Sequence, residues 1–169
     1  FSSLIGIGLG MERPFENLYA KLKASHIVME FDKNIHNPQE SKNWFEAQEE
    51  VESVSVPRLE KGLRKKLLFK GEELINQVQF REHHGNTQNH DNLDIIIGEE
   101  KEYPHPGEIW IPNHWRNNTD FVLGDTILVP TDNGTFPLII SAIAVDAHHS
   151  NGLSDPAPAW LGPGGLAMI

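Results

Sequence analysis

From Gly107 to Asp146 the chain reads GEIWIPNHWRNNTDFVLGDTILVPTDNGTFPLIISAIAVD, an ordered run of start and stop signals with few reactive side chains among them. Gly107 opens a short apolar strand over Glu108 to Ile111, and Pro112 brings the fixed φ that suits the first turn of a helix. That helix is expected over about Asn113 to Phe121. Leu123-Gly124-Asp125 ends it, because Gly124 takes the left-handed conformation that closes many helices without steric cost. Thr126 to Val129 is extended again. Thr131-Asp132-Asn133-Gly134 carries the Asx and Gly residues of a tight turn, and Phe136 to Val145 is the returning strand of a hairpin.

Upstream, Phe15, Leu18, Tyr19 and Leu22 form the apolar stripe of a helix over Glu12 to Lys23. His26 to Phe31 alternates with the period of a half-buried strand, and Asp32 ends it. Asn37-Pro38 starts a second amphipathic helix through Trp44, Phe45 and Gln48 to Val51, with Glu40, Glu46, Glu49 and Glu50 outward. Val51, Val54 and Val56 begin a strand that ends near Pro57. Strand, helix, strand is a unit whose strands pair in parallel with the helix on one face. Leu59 to Glu82 reads as a hairpin with Gly71 at or beside its turn. Its Lys61, Arg64, Lys65 and Lys66 form the one basic patch, read as a guarded strand edge in preference to a contact for acidic partners or lipid headgroups. His83 to Asn92 is wholly polar and reads as a mobile loop tip, and Leu93 to Ile97 as a buried strand. Tyr103-Pro104-His105-Pro106 leads back to the Gly107 strand.

Together, HIVMEFD at 26–32, ESKNWFEAQEEVESVSVP at 40–57, GEIWIP at 107–112, LGDTI at 123–127, FPLIISAIAVD at 136–146 and PAWLGPGGL at 158–166 resemble one family. It is the extracytoplasmic (periplasmic) core domain of MacB-like and FtsX-like ABC transporter permeases, and the resemblance spans most of the chain. It implies an α+β fold, in which residues 24–58 with 107–122 and 148–169 form a porter-like α/β subdomain. Residues 59–106 with 123–147 would form an inserted small β-rich subdomain, and 1–23 an N-terminal linking segment after a membrane helix. The parent protein would lie in the cell membrane and project this domain outside the cytoplasm between its first and second membrane helices. A separate cytoplasmic ATPase subunit would supply the energy, so this segment would be no enzyme and need no cofactor. Its work would be to transmit ATP-driven motion to a substrate, an adaptor or an envelope protein, in a dimeric or pseudo-dimeric transporter.

Composition narrows the function classes. A chain of 169 residues makes one ordinary domain or two small subdomains, and buries roughly two-thirds of its unfolded surface. Hydrophobic residues at 38% and charged residues at 22%, with 14 Gly and 11 Pro, fit a globular, loop-rich fold. The net charge of −10 repels nucleic acid and anionic membrane surfaces. Nucleic acid is therefore not expected as a partner. Without cysteine there is no disulfide framework, thiolate metal site or Cys nucleophile. No run approaches the roughly 18–20 apolar residues that cross a bilayer. FSSLIGIGLGM at 1–11 is too short for a span and lacks the basic region of a signal peptide. It reads equally as the tail of a membrane helix or as a segment packed on the domain. The absent initiator Met and the end at Leu166-Ala167-Met168-Ile169 fit a segment cut from a longer protein.

The nine histidines make a metal site worth testing. His83, His84 and His90 are the first candidates, with His105, His114 and His148-His149 behind them, because imidazole suits Zn²⁺ and Cu²⁺. No fixed spacing supports such a site, and adjacent histidines on a strand point to opposite faces. Exposed loop histidines are the preferred reading. The alternative function is a free-standing extracytoplasmic metal- or peptide-binding domain that uses this loop. Asp94, Glu108, Asp125, Asp132 and Asp146 flank strands, but nothing pairs them for acid–base work, and turn hydrogen bonding explains Asp125 and Asp132. No catalytic residue is assigned. IGIGLG at 5–10 lacks the preceding strand that nucleotide binding requires. Trp44 and Trp110 lie among apolar neighbours and read as core, with Trp115 and Trp160 open. Asn117-Asn118-Thr119 and Asn133-Gly134-Thr135 match the glycosylation pattern but also make turns.

Overall fold

A computed structural model describes residues 16–24, 27, 37–54, 63–74, 78–86, 92–117, 119–147 and 158–169. Two α-helices and a large mixed sheet place the chain in the α+β class. Residues 16–22 form α1 and Pro38–Glu46 form α2. The strands are β1 Leu63–Lys65, β2 Leu68–Phe69, β3 Glu72–Glu73, β4 Val78–Glu82 and β5 Asp94–Gly98, then β6 Glu108–Pro112, β7 Thr126–Thr131, β8 Gly134–Val145 and β9 Pro158–Leu161. Single 3₁₀ segments follow β6, at Asn113–Asn117, and β9, at Gly165–Met168.

The strand order is β1-β4-β9-β6-β8-β7-β2-β3, with β5 added to β8. Both ends of this order belong to one hairpin. Only Lys66 and Leu67 separate β1 from β2, and residues 74–77 separate β3 from β4. Around the Lys70-Gly71 turn β2 pairs with β3, and its other side pairs with β7. β1 pairs with β4, whose other side carries β9. The sheet therefore curls until its last members meet its first. Inside the curl, Phe69, Phe80, Ile109, Ile127, Ile140 and Leu161, from six different strands, share one core. Burying each such side chain stabilises the fold by roughly 1.5–3 kcal/mol.

A second apolar layer lies on the opposite face of the sheet, because side chains alternate along β6. Ile109 and Ile111 enter the inner core, while Trp110 stands opposite Trp160 of β9 and packs with Leu93, Ala142 and Ala144. Strand β6 is thus buried on both faces. Its parallel partner β8 carries a bulge. Ile109 faces Ile140 but Trp110 faces Ala142, so Ser141 is the extra residue. The bulge lets Ile140 and Ile143 both reach the inner core. Two glycines permit close approach here: an added Cβ would lie 2.7 Å from the Ser141 carbonyl oxygen at Gly98, and 2.0 Å from that of Pro104 at Gly162.

Several expectations need correction. The helix after Pro112 is one 3₁₀ segment ending at Asn117, since Phe121 turns inward to lie 4.5 Å from Phe69 and 6.1 Å from Trp115, ring to ring. Gly124 has the left-handed φ of 88°, but it turns the chain into β7 with its N–H on the Ile140 carbonyl and caps no helix. The Leu59–Glu82 hairpin exists as four short strands. Of the strand expected from Val51 to near Pro57, residues 51–54 form no strand and 55–57 fall outside the described residues, as does the expected strand at His26 to Phe31 except for Ile27, which is 74% exposed. Helix α2 buries no residue, so Trp44 is 61% exposed and is not core. Strand β5 is only half buried, because a bulge at Ile96 leaves that side chain 43% exposed. In the sheet β9 and β6 lie between β4 and β8.

Candidate functional site

The His-rich segment leaves β4 after Glu82, and its base is tied shut. The Asn86 side chain donates to the Leu93 carbonyl and accepts from the Leu93 N–H, each at 2.8 Å. His83 is no loop-tip residue. Its N–H donates to the Leu161 carbonyl at 2.8 Å, and its ring lies 5.5 Å from that of Trp110. Burial there, aided by neighbouring His84, pushes the His83 pKa down from 6.5 to about 4. His84 has different surroundings: its side chain is 64% exposed, with Nε2 3.4 Å from Glu82 Oε2. His90 and His148-His149 lie outside the described residues, His114 is in the 3₁₀ segment and His105 in the turn before β6. Among the described residues no group of three or more His, Asp or Glu side chains could hold a metal ion.

The carboxylates serve separate structural tasks. Glu108 accepts from Lys101 Nζ at 3.1 and 3.3 Å and from the His105 N–H at 3.1 Å. Burial pushes its carboxyl up, but these donors outweigh that effect and hold it below 4.5. Asp125 accepts from the Val122 N–H at 3.0 Å, the turn role expected from its sequence. Asp146 is buried at 9% exposure. Between Glu108, Leu138 and Leu161 a void of about 20 Å³ remains, room for one water-sized group. Among the described residues, apolar side chains from six strands occupy the inside of the curled sheet.

The most specific arrangement lies where α1 meets β5. The helix closes with paired bonds: the Lys23 N–H donates to the Ala20 carbonyl at 3.3 Å and the Ala24 N–H to the Tyr19 carbonyl at 3.0 Å. This is the Schellman pattern, with Lys23 at φ 51° where glycine is usual. The Leu22 carbonyl takes no part in it and accepts from the Asn92 N–H at 2.9 Å. Leu22 itself is 1% exposed, and Lys21 Nζ lies 2.6 Å from Asp94 Oδ2. Two bonds from one helical turn thus fix α1 to the start of β5. Sequence reading found the Leu22 stripe but not its destination, since nothing local links residue 22 to residues 92–94.

No protein-family model matches the chain, and no curated protein matches it.

Proposed function

We propose that this chain is the extracytoplasmic domain of an ABC transporter permease, and that it transmits ATP-driven motion to a substrate, an adaptor or an envelope partner. The observation that carries the reading is the order of elements from Gly107 to Leu161. Strand β6, the 3₁₀ segment, the Gly124-Asp125 corner, the β7–β8 hairpin and β9 follow one another, and they coincide with GEIWIP, LGDTI, FPLIISAIAVD and PAWLGPGGL, which carry the family resemblance. The firm docking of α1 on β5 adds support, because a domain that relays movement needs a stiff connection to the chain entering it. In this reading the parent protein is in the cell membrane, works as a dimer and relies on a separate cytoplasmic ATPase, and this domain catalyses no reaction.

Two tests bear on it. Reading the coding DNA on either side should reveal an apolar run of about 20 residues before Phe1 and three more beyond Ile169. Deleting residues 16–169 from the parent protein should abolish export while its ATPase still assembles on the membrane. Unchanged export by the deletion strain would sink the proposal.

A further inference from the structure

We infer that the α1–β5 contact is a rigid joint: it holds α1 and the sheet as one body while the domain works, and bending occurs elsewhere. This rests on the transporter reading above. Four features converge on the joint. A helix that flexed at its end would not need a residue other than glycine held in the left-handed region, yet Lys23 takes φ 51° to close the helix. The closure leaves the Leu22 carbonyl directed to the Asn92 N–H, a bond between main chains that no side-chain movement can release. Leu22, whose carbonyl makes this bond, is itself buried at 1% exposure. Lys21 and Asp94 then close the exposed side.

The sheet is built to receive movement at this point. Among the described residues strand β5 pairs only with β8, and β8 spans Gly134–Val145 and pairs with β5, β6 and β7. A displacement of α1 reaches β5 first, and β8 then distributes it through backbone hydrogen bonds to two further strands. The path uses ladders and a buried side chain, and needs no loop to act as a spring.

The test uses the full-length parent protein freed of other cysteines, since residues 1–169 contain none. Lys21→Cys and Asp94→Cys are introduced together and joined with a short, reducible bis-methanethiosulfonate crosslinker. Crosslinking should proceed in the resting protein, and export should persist in the linked state at the level of the unlinked one. Export that stops on linking and returns with dithiothreitol would show that the joint opens during the cycle, and would overturn the inference. Failure of the pair to crosslink would overturn it too. In a second variant, Leu22→Asp should reduce export while Trp110 and Trp160 keep their buried fluorescence; full export from that variant would likewise count against the joint. The two readings fail separately. A deletion strain that exports normally defeats the transporter reading, whereas loss of export on deletion with normal export by Leu22→Asp defeats the joint alone.

Discussion

Lys23 and Lys70 are the two described residues other than glycine with positive φ, and each closes an element. The left-handed region costs an L-residue roughly 1–2 kcal/mol, less for Asn. Lys70 and Gly71, at 50° and 85°, form the type I′ turn between β2 and β3, a position that favours Asn-Gly. Lys70→Asn should therefore raise stability by about 0.5–1 kcal/mol, read as a higher urea midpoint with an unchanged slope. A midpoint that stays put would count against the turn as described. His83 gives a pH prediction. Between pH 6.5 and about 4 the unfolded chain takes up a proton that folded His83 refuses, so its contribution is complete above 6.5 and is lost on acidification through that window. The loss should be on the order of 3 kcal/mol, and His83→Gln should flatten it in thermal melts followed across pH. Below 4.5 the paired Glu108 carboxylate adds a further loss as it is protonated. Asp125 and the Thr131–Gly134 turn were legible in the sequence because their interactions are local, whereas Gly124, read as a helix cap, bonds the distant Ile140 carbonyl instead. His83 was not, since its burial depends on Trp110 and Leu161, brought beside it by other strands.

Among the elements, α2 shows how far local signals reach. Asn37 accepts from the Gln39 N–H at 3.0 Å and Pro38 occupies the first turn, as the sequence predicts. Whether the helix buries a face is a separate matter, decided by what lies opposite, and none of its residues is buried. The apolar neighbours of Trp44 and Trp110 look alike in sequence. Trp110 alone is on a strand covered on both faces. Trp110→Ala should cost about 3–5 kcal/mol, whereas Trp44→Ala should stay within about 0.5 kcal/mol, both measured by urea unfolding of the purified domain. Equal effects would mean that the outer layer around Trp160 is not a core. The β7–β8 hairpin was the most legible element, because its turn, strands and partner follow directly in the chain. Its prolines, Pro130 and Pro137, occur where β2 and β6 no longer pair with it, so their missing N–H groups cost the sheet no bond.

At the scale of the whole molecule, sequence reading yielded the α+β class but not the curl. The pairings that close it join distant segments: β4 with β9 and β6 with β8 are parallel, and β2 pairs antiparallel with β7. Periodicity marks a strand without naming its neighbour, so the hairpins were readable and these pairings were not. Ending the chain before Pro158 should uncover β4 and β6 and one side of the inner core. Such a variant should bind the dye ANS and associate at micromolar concentration, while the intact domain does neither; a soluble, dye-free truncation would contradict the strand order. The placement of β9 also sets a schedule. Among the described strands the last to be made belongs between two made much earlier, and at about 5–20 residues per second β4 waits roughly 4–15 s for it. For that interval the nascent domain has a gap at its centre, so its burden on chaperones is fixed by the position of one four-residue strand.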